Sequence, residues 1–321
     1  MKVMAGDVGG TNTRLALIEN GTISVDRRYP SAQFAGLEEI IQSFLKEAGA
    51  TPSRACFGVA GPVDGDVSKL TNLSWVVDAR RIEERCGIAR CRVVNDFWAA
   101  ALGVTMLQPG NVEQLGGSAP RATGPIVVMG AGTGLGVAFL THDGTRYEPT
   151  AGEGGHRDFA PRDEVEIRLL RFLLTRYDHV SYERVLSGTG IKNLYDFFAS
   201  ESPAQIQSST EDAMRTEDPA AVVTRLGGTG KDVLCQSALN TFISLLAAEA
   251  GNLALQVGAK GGVYLAGGIA PRLRMHLEEP AFRRSFEHKG RLSTLLHTIP
   301  VYLVMEPQLG LLGAAAGALR L

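Results

Sequence analysis

Residues Met4 to Gly21 read MAGDVGGTNTRLALIENG. A short apolar start runs into Gly6-Asp7-Val8-Gly9-Gly10-Thr11-Asn12, and a second apolar run follows from Leu15 to Ile18. Two apolar runs around a glycine-rich break predict strand, tight turn, strand. The same grammar returns at Ile126 to Leu140, IVVMGAGTGLGVAFL. The two segments are short, but their likeness suggests two similar α/β lobes, each opening with a glycine hairpin.

Working outward, Gly36 to Ala48 has the spacing of an amphipathic helix, and Ala55 to Ala60 reads as a short strand ending in GPVDG. A strand over Cys91 to Val94 ends at Asn95-Asp96, and a helix is predicted from Phe97 to about Leu107. Glu164 to Tyr177 and Tyr182 to Val185 look helical, and Glu201 to Asp232 is polar, the best candidate for a variable insertion. Leu234 to Leu255 carries apolar residues at helical spacing, Val263 to Ala266 is a strand closed by Gly267-Gly268, and Leu311 to Leu321 is a terminal helix. Strands alternating with helices argue for an α/β protein. Its lobe boundary is placed near residue 106.

Composition narrows the function classes. The chain has 321 residues, 45% of them hydrophobic, with a formal net charge of −2. No long basic run appears, so nucleic-acid binding has no electrostatic footprint. Four cysteines (Cys56, Cys86, Cys91, Cys235) lack CxxC spacing and read as thiols of a reducing cytosol. No apolar stretch reaches the ~18 residues of a spanning helix. The start MKVMAGDVGG meets glycine and Asp too early for a signal peptide. The expectation is a cytoplasmic protein with no membrane or nucleic-acid partner. Glycine is the outlier: 38 residues, against a usual ~7%, gathered in clusters that let backbone approach a ligand.

GDVGGTNTR offers successive backbone N–H groups to phosphate oxygens, with Asp7 able to hold Mg²⁺ directly or through water and Arg14 able to balance charge. Alone it is equally a hairpin that merely turns the chain. GAGTGLG, with Thr133, adds a second such turn. A dinucleotide fingerprint is not met, because Leu135 stands at the sixth position. LGGTGKD resembles a Walker loop but has Arg225 for the first glycine and Asp232 for Ser or Thr, which makes it a plain turn. Asn95-Asp96 puts a carboxylate at the end of a strand, where open α/β folds bind ligands, although both residues also suit a helix N-cap. In Ala151-Gly152-Glu153-Gly154-Gly155-His156, glycines hold a carboxylate and an imidazole in an open loop, as hydroxyl-rich ligands require; a solvated acidic loop is the alternative. Glu183 in SYERVLSG is by default an ordinary exposed glutamate.

Taken together, GDVGGTNTRLAL, VVNDFWAAALG, VMGAGTGLGVAFL, AGEGGHRDFAP, SYERVLSGTG and GGVYLAGGIAPR stand in the order seen in bacterial glucokinases. The chain resembles that family of the hexokinase–actin–Hsp70 superfamily from about Ala5 to Gly317. The resemblance implies a two-lobed ribonuclease H-like (actin-like ATPase) fold with a ligand cleft between lobes that closes on glucose. A first domain of 1–106 would be joined by a C-terminal helix at about 303–321, and a second would span 107–302. ATP would lie against Gly6, Asp7, Val8, Gly9, Gly10, Thr11, Asn12 and Arg14, against Gly130, Gly132, Thr133 and Gly134, and against Gly267 and Gly268 near the adenosine. Glucose would meet Asn72, Asn95, Asp96, Glu153, His156 and Glu183, with Asp96 the catalytic base and Mg²⁺ steered by Asp7, through water. The resemblance favours a homodimer. The related repressor-and-kinase branch carries zinc-binding cysteines shortly after its histidine, whereas RDFAPRDEVE follows His156 here. A kinase for another hexose, a silent sugar sensor and an actin-like filament protein are the competing expectations.

Overall fold

The computed structural model describes residues 2–19, 22–70 and 73–321. Strands β1 (Lys2–Val8), β2 (Asn12–Glu19) and β3 (Thr22–Pro30) precede helix α1 (Leu37–Ala48) and β4 (Arg54–Val59). Short strands β5 (Val63–Asp64), β6 (Val67–Lys69) and β7 (Val76–Asp78) lead to α2 (Ala79–Cys86), β8 (Arg90–Asn95) and α3 (Asp96–Val104). Next come β9 (Val112–Gly116), β10 (Ile126–Ala131), β11 (Leu135–His142), β12 (Tyr147–Gly152), α4 (Glu164–Leu174) and α5 (Gly188–Glu201). Helices α6 (Ser208–Thr216), α7 (Pro219–Gly228) and α8 (Val233–Val257) follow, then β13 (Gly262–Ala266) and α9 (Arg274–Leu277). The chain closes with α10 (Pro280–Glu287), α11 (Ser293–Thr298), β14 (Val301–Val304) and α12 (Leu309–Leu319).

Two sheets carry the fold, in the orders β3-β2-β1-β4-β8 and β12-β11-β10-β13-β14-β9. Numbered within its own half, each reads third, second, first, fourth, fifth, and β9 is an extra strand pairing antiparallel with β14. The repeat suggested by the two glycine hairpins is therefore present in the topology. Two compact units divide the chain. The first is Met1–Pro109 with Ala138–Gly152 and Glu306–Leu321, and the second is Gly110–Val137 with Glu153–Met305. Ala138–Gly152, assigned to the second body on sequence, falls in the first, and the division runs through β11.

In the first unit both faces of the sheet are covered. Met4 and Val8 of β1, Leu15 and Leu17 of β2 and Phe57 of β4 pack with Ile40, Ile41 and Phe44 of α1. The alternate residues Val3, Ala5, Ala16 and Ile18 pack with Ala99 of α3 and with Leu311, Ala314 and Ala318 of α12. This period-two split is what strands covered on both faces require. The terminal helix packs closely because it is built of small residues: a methyl at Gly313 would stand 1.6 Å from the Ala99 carbonyl oxygen. Its end is gripped by Arg54 and Arg90, which donate to the carbonyls of Leu319 (3.3 Å) and Leu321 (2.6 Å).

The second unit is organised on α8, whose residues from Leu234 to Ala254 are largely buried and which packs against α5, α7 and α10. Counting unbroken apolar runs did not flag it, but this 25-residue helix is long and apolar enough to cross a membrane by length and composition. Its burial among neighbouring helices is that of a core helix. The segment read as an insertion, Glu201 to Asp232, folds into α6 and α7. Its Walker-like stretch is the end of α7, and Asp232 caps α8 by accepting the N–H groups of Leu234 and Cys235, 2.9 Å each.

Candidate active site

The first glycine turn lies between β1 and β2, closed by Gly9 N–H donating to the Asn12 carbonyl at 3.0 Å. Ser31, at the end of β3, braces it: its hydroxyl donates to Gly9 O at 2.8 Å and lies 3.0 Å from Thr13 Oγ1. No sequence signal singled out Ser31, because only strand pairing delivers it. Asp7 and Arg14 are cross-strand partners in this hairpin. Asp7 is solvent-exposed, yet the protein around it raises its carboxyl pKa by desolvation, which the charges of Arg14 and Arg28 partly offset. Arg14 donates through Nε (2.9 Å) and an amino group (2.5 Å) to Asp26 on β3. That carboxylate matches its charge locally, a commitment the motif did not reveal.

The parallel pairing of β1, β4 and β8 aligns Val8, Val59 and Asn95 at one end of the sheet. The glycine turn and the Asn-Asp pair thus emerge together, two strand spacings or about 10 Å apart. Asn95 is the N-cap of α3: its Oδ1 accepts from Phe97 N (2.8 Å) and Trp98 N (3.2 Å), and its Nδ2 donates to Gly61 O at 3.2 Å. The helix therefore starts at Asp96, one residue earlier than predicted, and ends at Val104. Asp96 is half-buried in the first turn, with Oδ1 accepting Phe97 N–H at 2.9 Å. There the partial positive charge of the helix terminus suits a carboxylate. Asn72 lies outside the described residues.

In the second unit, three backbone segments converge on the turn after β10. Gly132 N–H donates to Gly134 O (2.9 Å), Gly188 N–H to Gly132 O (2.9 Å) and Ile269 N–H to Ala131 O (3.2 Å). Gly267 must be glycine, since its φ is +83° and a Cβ would sit 2.4 Å from the Ala131 carbonyl oxygen. Beside this turn is a cavity of about 680 Å³ lined by Gly132, Thr133, Gly268 and Ile269 and walled by Ala221 and Thr224 of α7. Its size is that of a small-molecule site. Asp218, Arg225 and Arg272, the last residue of GGVYLAGGIAPR, also border it, and none was singled out on sequence as a ligand contact.

His156 and Glu183 do come together, with Nε2 and Oε2 4.0 Å apart. Glu183 Oε2 also accepts Leu135 N–H at 3.0 Å, tying this carboxylate to the second glycine turn. Glu153 and His156 are solvent-exposed on a short turn closed by His156 N–H to Glu153 O at 3.0 Å. Gly155 allows that turn to lie against β11, because a Cβ there would be 2.0 Å from the Leu135 carbonyl oxygen.

Comparison with known proteins decides the lineage. Residues 4–320 match the glucokinase family. The chain belongs to the glucokinase family. A glucokinase of Nostoc punctiforme is 42% identical, with 99% of each chain covered. A crystal structure of glucokinase from an Antarctic psychrotroph is 32% identical and superposes with a TM-score of 0.88, covering 100% of this chain and 99% of the other. A glucokinase from Balamuthia mandrillaris, solved in complex with glucose, shares the fold at a TM-score of 0.84 and 22% identity, with 99% and 93% covered. The fold is that of the actin-like ATPases, as the resemblance to bacterial glucokinases implied.

Proposed function

We propose that the protein is a glucokinase, transferring the γ-phosphoryl group of ATP to the 6-hydroxyl of glucose. The observation that carries this reading is full-length membership of the glucokinase family, and the half-buried Asp96 carboxylate just after the end of β8 is in keeping with it. Asp96 accepts a hydrogen bond from the 6-hydroxyl and takes its proton as that oxygen bonds to the γ-phosphorus and the bond to ADP breaks. Asn95 holds Asp96 at the head of α3 and approaches the sugar, as its family position implies. Glu153, His156 and Glu183 are the remaining glucose contacts, a carboxylate–imidazole set able to bridge neighbouring hydroxyls.

The 680 Å³ cavity takes the nucleoside, which is supported by its lining of Thr133, Gly268 and α7 residues. Backbone amides of both glycine turns (Gly6 to Asn12 and Gly130 to Gly134), apart from those of Gly9 and Gly132 that close the turns, hold phosphate oxygens. Mg²⁺ accompanies ATP, and Asp7 fits it: an exposed carboxylate beside the glycine turn is the hard oxygen donor that such a cation takes. Mg²⁺ often uses a single carboxylate, with waters and phosphate oxygens completing its shell. When bound it neutralises phosphate charge. Arg14, already paired with Asp26, contributes field more than direct contact. The reading extends to a homodimer acting in cytoplasmic glycolysis. Family likeness supports the dimer, and four buried free cysteines suit a reducing compartment.

The test is ATP consumption by the purified protein with a panel of hexoses and Mg²⁺. Glucose is expected to give the highest kcat/KM. Failure to consume ATP with glucose, or a clear preference for mannose or an amino sugar, overturns the assignment.

A further inference from the structure

His156 and Glu183 sit on short turns, Gly154–His156 and Tyr182–Arg184, outside any long helix or strand. Backbone pairing joins the two segments: Tyr182 N–H donates to Arg157 O (3.0 Å), Phe159 N–H to Val180 O (2.9 Å), and Asp158 bridges Ser181. Their side-chain anchor is on α8. The Arg157 guanidinium lies over the Tyr182 ring, 5.3 Å from its centroid, and pairs with the carboxylate of Glu249. Glu249 is fully buried (0% exposed) within the small-residue stretch AAEAGNLAL.

The network continues around it. Asn252 Nδ2 donates to Glu249 Oε2 (3.0 Å) and to the Tyr182 hydroxyl (3.2 Å). Lys289 Nζ donates to Asn252 Oδ1 (2.6 Å) and Ala248 O (3.0 Å). A buried ion pair is seldom more stable than a well-packed apolar pair of the same volume, so stability is a poor reason for one in a core helix. What this pair does have is direction. It grips the residue after His156 and, through Tyr182, the residue before Glu183.

We propose that Glu249 and Asn252, acting through Arg157 and Tyr182, are positioning residues that set the aim and separation of His156 and Glu183 toward glucose. This rests on the proposed role of His156 and Glu183, and the experiment separates the two. His156→Ala and Glu183→Gln are measured first; if neither alters the KM for glucose, the site reading fails and the proposal falls with it. The informative variant is the double substitution Arg157→Met with Glu249→Leu, which removes both charges while keeping volume. It is expected to stay folded with an unchanged or higher Tm, to raise the KM for glucose by about ten-fold, since small misplacements of contact groups are costly, and to leave the KM for ATP within about two-fold. A wild-type KM for glucose in the folded double variant overturns the proposal, as does an equal rise for glucose and ATP. Should that variant not fold, Tyr182→Phe carries the test, since it deletes only the hydroxyl that Asn252 reaches. A selective rise in the KM for glucose of about three-fold is expected there, and no change refutes the positioning role.

Discussion

At the scale of single residues, the Asp96 carboxylate is the group whose loss the chemistry should feel most. Asp96→Asn keeps the size and the hydrogen bond from Phe97 N–H, so glucose affinity is expected to hold within a few-fold. Turnover is expected to fall by about 10²-fold or more, the scale of lost general-base help. Wild-type turnover in the purified variant would remove Asp96 from the mechanism. A second residue-scale effect is alkaline. Burial pushes the thiols of Cys56 and Cys235 up to about 12 and that of Cys86 up to about 11. In the unfolded chain they ionise near their ordinary value of 9.0. The folded state then binds more protons from about pH 9 upward, so stability falls as pH rises through that window. Lys289 works the other way: burial, aided by Arg162, lowers it to about 8. Between pH 8 and its ordinary 10.5 the unfolded chain binds the extra proton, and stability gains with pH. Thermal unfolding from pH 8 to 10.5 should therefore show a steeper loss in Lys289→Met than in the wild type. Parallel curves would contradict the assignment.

At the scale of elements, the decisive contact is α3 against α12. Glycine at 313 lets the Ala99 carbonyl approach the α12 backbone, and Asp96 is the first residue of the helix that Ala99 belongs to. Gly313→Ala forces the helices apart, since the obstacle is backbone and cannot rotate away. A loss of about 1–3 kcal/mol in denaturant unfolding is expected, with a fall in kcat from displaced Asp96. An unchanged midpoint and an unchanged kcat would mean the helices re-pack freely. On sequence the segment reads only as a terminal helix, with no role assigned to its glycines. Their use is visible only once the partner helix is in place. Likewise α7, in a segment that reads as a polar insertion, proves to be a wall of the nucleoside-sized cavity. Nothing in its period or composition distinguishes it from any surface helix.

At the scale of the whole molecule, of the residues proposed for glucose, Asn95 and Asp96 belong to the first unit and Glu153, His156 and Glu183 to the second. The proposed nucleoside cavity belongs to the second alone. A ligand favours whichever arrangement it binds better. Glucose without ATP is therefore expected to slow amide hydrogen exchange in α3 and in the 153–183 segment together. A non-hydrolysable ATP analogue should protect mainly Gly130 to Leu135 and Leu265 to Ile269. Protection by glucose confined to one unit would argue against shared contacts.

What the amino-acid sequence determined was local and punctuated. Glycine breaks between apolar runs marked both hairpins, because clustered glycines interrupt a strand and favour a turn. The Asn-Asp pair marked the end of a buried strand, and the order of six motifs indicated the family. These signals lie within a few residues of one another, where backbone preference dominates. Tertiary structure alone decided which side chains spend their hydrogen-bonding capacity on the protein itself. Arg14 is matched by Asp26 twelve residues away, and Arg157 meets Glu249 across more than ninety residues of chain. Such pairings are properties of packed surfaces brought together by folding, so no reading of neighbours along the chain could have found them.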